Sequence, residues 1–201
     1  MTQDSAEARS REPALTFTRR ARRVQIIDVT IELLADHGYS GVSLSQIADR
    51  AGVTKPTVLY HFTDKSNLVS SVYRHVLDAV VESVGGAVEA AEVEERPAAY
   101  VRYLVAHFVR YPSHARVSIE ALIHGGERAE SSARWKPVAD LLAAARKSRG
   151  ATDEVELRTA ALIIGGAIDA VVAEAVEDPK FDAVAASEEI VELIEARYLA
   201  S

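Results

Sequence analysis

Ser43-Leu44-Ser45-Gln46-Ile47-Ala48-Asp49-Arg50-Ala51-Gly52-Val53-Thr54-Lys55-Pro56-Thr57-Val58-Leu59-Tyr60-His61-Phe62-Thr63-Asp64-Lys65 is the stretch that decides the fold of this chain. Ser43 and Gln46 stand at capping-box spacing: the serine hydroxyl can accept from the Gln46 amide, and the glutamine side chain can reach back. The helix they open is short and ends near Gly52, a residue suited to the tight turn Ala51-Gly52-Val53. Thr54 is then a good N-cap, and Pro56 falls in a first turn where its missing N–H costs nothing. The second helix closes around His61-Phe62. Two short helices, 44–50 and 55–61, flanking a tight turn make a helix-turn-helix. Ala48 and Ala51 are small, as a close crossing of two helices requires.

Upstream, Val24, Ile27, Ile31 and Leu34 recur at three- and four-residue steps, a helical period that starts at Phe17 and stops at His37-Gly38. Ile47, Ala48 and Val58 can pack on Val24, Ile27 and Ile31 of that helix. The packing leaves Thr54, Lys55, Thr57 and Tyr60 outward. These types suit the major groove of duplex DNA: lysine donates to guanine acceptors or a phosphate, and threonine touches a thymine methyl or a base edge. Tyr60 and His61 can bond phosphates from the end of the helix. Ser43 and Lys65 sit at helix N-termini, where free amides already favour an anion. Arg19, Arg20, Arg22 and Arg23 form a solvated face, or else Arg19 or Arg20 reaches the phosphates or the minor groove of adjacent DNA.

Residues 1–16 are polar and aperiodic and read as a disordered arm; 17–64 form the head and 65–201 a larger domain. Thr63-Asp64-Lys65 caps a helix expected to run to Val84, where Gly85-Gly86 weakens it. Further helices are expected from Glu95-Arg96-Pro97 to Tyr111-Pro112, from Ser113 to His124, from Arg134 to Ser148, from Thr152-Asp153-Glu154 to Val176, and from Ala183 to Leu199. No strand-like alternation bounded by hairpin turns occurs. The fold class is therefore all-α, with about nine helices: a three-helix DNA-binding head and a larger helical domain.

Apolar residues make up 48% of the chain, enough for a sizeable core. The formal net charge is −7, but residues 1–65 carry 9 Lys+Arg against 8 Asp+Glu, and residues 66–201 carry 14 against 22. An acidic body with a near-neutral head does not coat nucleic acid without specificity; it does permit local phosphate contacts at the head. With no cysteine, disulfides and thiolate metal sites are excluded. None of His37, His61, His75, His107, His114 and His124 stands in a metalloenzyme spacing, and there is no Gly-rich phosphate loop or G-x-S-x-G. No enzymatic activity, metal or cofactor is expected. The absence of a signal-like run, or of the roughly 18 consecutive apolar residues of a membrane span, points to a cytoplasmic protein without a membrane partner.

Thr30 to Leu68, and Ala48 to Lys65 above all, resembles the DNA-binding domain of TetR-family regulators (TetR/AcrR type). The family's recognition helix has an aromatic-rich end, then Phe, two residues and Lys; Tyr60-His61-Phe62-Thr63-Asp64-Lys65 repeats that pattern. The family usually carries Tyr where this chain has Leu59, which removes one expected phosphate contact. The resemblance implies a homodimeric repressor released from a palindromic double-stranded operator when a small, largely apolar or aromatic effector binds the C-terminal domain. Tyr103, His107, Tyr111, Trp135 and Asp169 are the candidate ligand-binding residues, with Tyr100, Phe108 and His124 nearby; each also fits ordinary core or surface. Ala161, Ile164 and Ile168, with Ile190 and Ile194, form apolar stripes on the two helices expected to pair subunits. The same stripes fit the chain's own core. A regulator governed by a protein partner, or by no effector, is the alternative.

Overall fold

The computed structural model describes the backbone of residues 4–124 and 131–200 and the side chains of residues 17–120 and 135–200. Every regular element among them is helical. The chain divides into two compact units, Met1–His75 and Val76–Ser201. The division falls inside a helix, later than the 64/65 junction expected from sequence.

In the first unit α1 (Asp4–Gly41) begins within the segment 1–16 that sequence alone assigns to an arm. Its backbone leaves helical geometry at Gly38 (φ 65°, ψ 174°), where the apolar period stops. Helices α2 (Leu44–Arg50) and α3 (Lys55–His61) follow. The capping box forms as read: Gln46 N donates to Ser43 Oγ at 3.2 Å, and Ser43 N to Gln46 Oε1 at 2.8 Å. Between α2 and α3, Gly52 N donates to Asp49 O at 3.2 Å and Val53 N to Ala48 O at 2.9 Å. This is a Schellman closure, and its φ of 63° at Gly52 is where a side chain would be strained.

Ile26, Ile27, Ile31 and Leu34 of α1 are buried with Ile47 and Ala48 of α2 and Val58 of α3. Val24, expected in this core, is exposed. The buried face is rotated because it admits Thr30, whose Oγ1 donates to Ile26 O at 2.6 Å and so enters the core satisfied. A reading that counted only apolar positions could not place that face.

Helix α4 (Lys65–Ala90) supplies residues to both units. It passes straight through Gly85-Gly86, the expected end. Two interior glycines cost roughly 1 kcal/mol each relative to alanine, but Val84 is buried and Val88 packs on the core of the second unit, which offsets that cost.

The second unit contains α5 (Arg96–Arg110), α6 (Pro112–His124), α7 (Ser131–Ser148), α8 (Leu157–Glu177) and α9 (Ala183–Ile194), then a π-helical turn Glu195–Leu199. Its core gathers Val101, Val105, Leu142, Ile164, Ile168 and Ile194, among others. Helix α8 starts later than the expected Thr152-Asp153-Glu154, because Asp153 is occupied elsewhere: its Oδ1 accepts from Arg146 Nη2 at 2.6 Å. Glu156 caps α8 instead, accepting from Arg158 N and Thr159 N. Arg146 is buried and also donates to Tyr198 O, while Arg149 donates to both carboxylate oxygens of Glu195 at 2.6 and 3.0 Å. These bonds fasten the end of the chain to α7. Helix α8 is, by length and composition, long and apolar enough to cross a membrane, contrary to the sequence expectation that no such stretch exists.

Candidate nucleic-acid interface

Helix α3 has one inward residue, Val58, and an exposed arc containing Lys55, Pro56, Leu59 and Tyr60. Its start is set by Thr54, whose Oγ1 accepts from Thr57 N at 3.3 Å. The two threonine hydroxyls also lie 2.9 Å apart. One hydroxyl donates to the other, so the pair presents a single free O–H donor to an outside acceptor. Ser43 uses an acceptor lone pair in its cap and keeps its own O–H available. Lys55 is exposed at the same end.

The other end of α3 is held by arginines. Arg23 Nη1 donates to His61 O at 2.8 Å, Nη2 donates to Ser71 Oγ at 2.9 Å, and its guanidinium lies 4.2 Å from the centroid of the buried Phe62 ring. One side chain of α1 thus ties the last carbonyl of α3 to α4. Arg19 lies 5.2 Å from the ring centroid of Tyr60, which is 67% exposed and meets His61 edge-on at 5.3 Å. Gln25 Nε2 donates to Ala51 O at 3.1 Å, fastening the turn. Burial, then the charges of Arg19, Arg23 and Arg22, hold the His61 pKa below the usual histidine value. At neutral pH His61 is therefore a neutral imidazole in a positive field, and the positive charge that would attract a phosphate resides on the arginines.

Lys65 departs from its expected role. It is half-buried, its Nζ donates to Tyr39 O at 2.5 Å, and it lies 4.1 Å from the Tyr39 ring centroid. It braces the end of α1 with at least one of its three donors. Sequence reasoning missed Arg23 and Gln25 as positioning residues: four arginines within five positions carried no signal separating the one that turns inward.

In the second unit His107 is 4% exposed, and its Nε2 lies 3.2 Å from His114 Nδ1. Its Nδ1 is buried without a hydrogen-bond partner. Burial, then His114, lowers its pKa. Tyr111 stacks on His114 with centroids 5.2 Å apart and lies 5.0 Å from His107. The structure therefore brings His107 and Tyr111 together with His114. Tyr103 and Asp169 are exposed on their helices, and Trp135 is half-buried with Arg158 5.4 Å from its ring centroid. The His124 side chain lies outside the described residues. An open groove of this unit is lined by residues 143–157 at the α7–α8 connection, including Arg146, Gly150 and Leu157, and none of the five expected ligand residues lines it.

The expected pairing stripes are corrected. Ala161, Ile164, Ile168, Ile190 and Ile194 are all buried in the chain's own core. The apolar residues that α8 and α9 leave outward are others: Leu162 (52% exposed), Ile163 (51%) and Leu193 (48%). Periodicity on a helix apolar nearly all round does not say which face meets its own chain.

Residues 26–72 match the sequence description of the tetR family of bacterial regulatory proteins. The transcriptional activator FasR of Mycolicibacterium smegmatis is 38% identical over 63 residues, 31% of this chain and 29% of that protein. The chain thus matches less than a third of that relative's length. The solved fatty acid degradation regulator FadR of Bacillus halodurans superposes with a TM-score of 0.76 at 25% identity, over 86% of this chain and 94% of that one. AibR, solved with isovaleryl coenzyme A and operator DNA, superposes with a TM-score of 0.64 at 22% identity, over 89% of this chain and 98% of that one.

Proposed function

We propose that the chain belongs to the tetR family of bacterial regulatory proteins, whose description its residues 26–72 match, and that it binds duplex DNA as a symmetric pair and controls transcription from that site. The observation that carries the reading is α3: a short helix with one inward residue, an exposed arc that presents Lys55 and Tyr60, and a flank made electropositive by Arg19, Arg22 and Arg23. In this reading Lys55 and Thr57 meet base edges. Ser43, Thr54, Tyr60, His61 and the remaining Lys65 donors meet phosphates and set register. One such head makes few contacts; two, about 34 Å apart or a multiple of it, read a palindrome from one side of the duplex.

The second copy is seated on the outward face of α8 and α9, through Leu162, Ile163 and Leu193. Helix α8 is apolar on both sides, and its own core covers only one. A membrane is the other medium that such a helix suits, but its buried Ala160, Ala161, Ile164 and Ile168 already belong to the helical core.

The effector is a small molecule with an apolar part, bound in the second unit; the leading class is an acyl thioester of coenzyme A, an apolar acyl group on a large anionic carrier, because AibR was solved with one. His107, with a buried unpaired nitrogen, supplies the polar contact, and Tyr111 lies beside it; Tyr103, Trp135 and Asp169 are the other candidates. Binding shifts a population between DNA-competent and incompetent forms, through α4, which belongs to both units. A ~100-fold loss of DNA affinity needs about 2.7 kcal/mol of coupling, within the usual range. Release from the operator makes the protein a repressor. Activation is the second reading, favoured by the similarity to FasR, a transcriptional activator.

The test is selection of duplexes from a random pool by the full chain, then release by isovaleryl and long-chain acyl coenzyme A. An enriched palindrome supports DNA recognition, and loss of the complex with either compound supports the effector class. Absence of any enriched sequence refutes the first claim, and indifference to both compounds refutes the second.

A further inference from the structure

Leu59 is an apolar side chain on the exposed arc of a helix that also presents Lys55, Pro56 and Tyr60. It is 40% exposed while Val58, its neighbour in the chain, is fully buried. At 3.6 residues per turn, Leu59 lies about 40° round the helix from Lys55, on the same flank. The polar residues around it are already engaged in part. The Thr54 and Thr57 hydroxyls bond each other at 2.9 Å, and Tyr60 is held between Arg19 and His61. Leu59 has no polar atom to offer a phosphate, and it shares its flank with Lys55, which meets base edges in the reading above. The apolar feature on those edges is the C5-methyl of thymine.

We propose that Leu59 is a specificity-determining residue that reads a thymine methyl group in each half-site. The inference rests on the DNA-binding reading above, and commits it to a base type at one position. Burying one methyl-sized group is worth a factor of roughly four in affinity. A symmetric site contains the contact twice, so the combined factor is roughly fifteen.

The experiment takes a duplex enriched by the full chain from the random pool and replaces each symmetry-related pair of thymines in turn by deoxyuridine, which removes only the two methyls. Affinities are measured for the wild-type chain and for Leu59→Ala, an exposed substitution that leaves the core untouched. One symmetry-related pair of thymines is expected at which deoxyuridine weakens the wild-type chain roughly fifteenfold and leaves Leu59→Ala unaffected. Selection repeated with Leu59→Ala is expected to lose the thymine preference at those positions alone. If the wild-type chain binds but ignores every such replacement, or if Leu59→Ala keeps the same sensitivity, the proposal is overturned and the DNA-binding reading stands. If no duplex is enriched at all, both fail together.

Discussion

Arg23→Met removes a guanidinium that holds the end of α3 in three ways and keeps most of the apolar stem. Two donors are lost, to His61 O at 2.8 Å and Ser71 Oγ at 2.9 Å, together with a cation placed 4.2 Å from the Phe62 ring centroid. A hydrogen bond from a charged donor contributes about 1.5–3 kcal/mol when shielded. Arg23 is only half-buried, so solvent screening lowers the pair together to about 2 kcal/mol. That corresponds to roughly thirtyfold in a local opening equilibrium. The assay is amide hydrogen exchange of the full chain, resolved at Val58 to Phe62. Protection there is expected to fall by roughly that factor, with the amides of α5 unchanged. Arg22→Met is the control, since among the described residues Arg22 donates to the exposed Gln25 Oε1, at 2.7 Å, and not to α3. A Ser71→Ala background should absorb part of the Arg23 effect, because the two share a bond. Undiminished protection in Arg23→Met, or an equal loss in Arg22→Met, refutes the idea that Arg23 positions α3.

Lys55→Ala is expected to weaken binding to a selected operator by about 1–3 kcal/mol without moving the melting temperature, as fluorescence anisotropy and calorimetry would show; unchanged affinity removes it from the readout. Leu162→Glu with Leu193→Glu should give a folded monomer by sedimentation and circular dichroism, whereas Ile164→Asp, which buries a charge in the chain's own core, should unfold it; dimers persisting in the first variant place the interface elsewhere. His107 titrates below the ordinary histidine value because burial and then His114 disfavour its charge. Below that ordinary value the unfolded chain takes up a proton that the folded chain refuses, so stability falls as pH drops from about 6.5 toward the depressed value. His107→Phe should flatten that part of a stability-versus-pH curve, and an unaltered slope contradicts the assignment.

Much of the head was legible because its punctuation is chemical. Ser43, Gln46, Gly52, Thr54 and Pro56 each do one local thing that needs no knowledge of the rest of the chain, and the structure forms those caps and that turn. Legibility failed where a residue's role depends on what faces it. Nothing local distinguishes Arg23 from Arg22. Thr30 breaks an apolar pattern yet enters the core through a bond to its own helix. Asp153 looks like a cap and serves Arg146 instead. The stripes Ala161-Ile164-Ile168 and Ile190-Ile194 were visible, but a four-residue period gives a face without naming the surface it meets. His107 and Tyr111 were legible as neighbours through their spacing, whereas His114 joins them across the α5–α6 bend, which spacing on one helix does not reveal.

In the proposed complex α3 lies in the groove of duplex DNA in two symmetric copies. Because the chain has no cysteine, Pro56→Cys creates one attachment point on the exposed arc of α3 for an iron-chelate cleavage reagent. On a selected duplex two compact zones of strand cleavage are expected, related by the dyad of the site and centred about 34 Å apart or a multiple of it. Cleavage scattered evenly along the duplex, or a single zone with no symmetric mate, contradicts that arrangement.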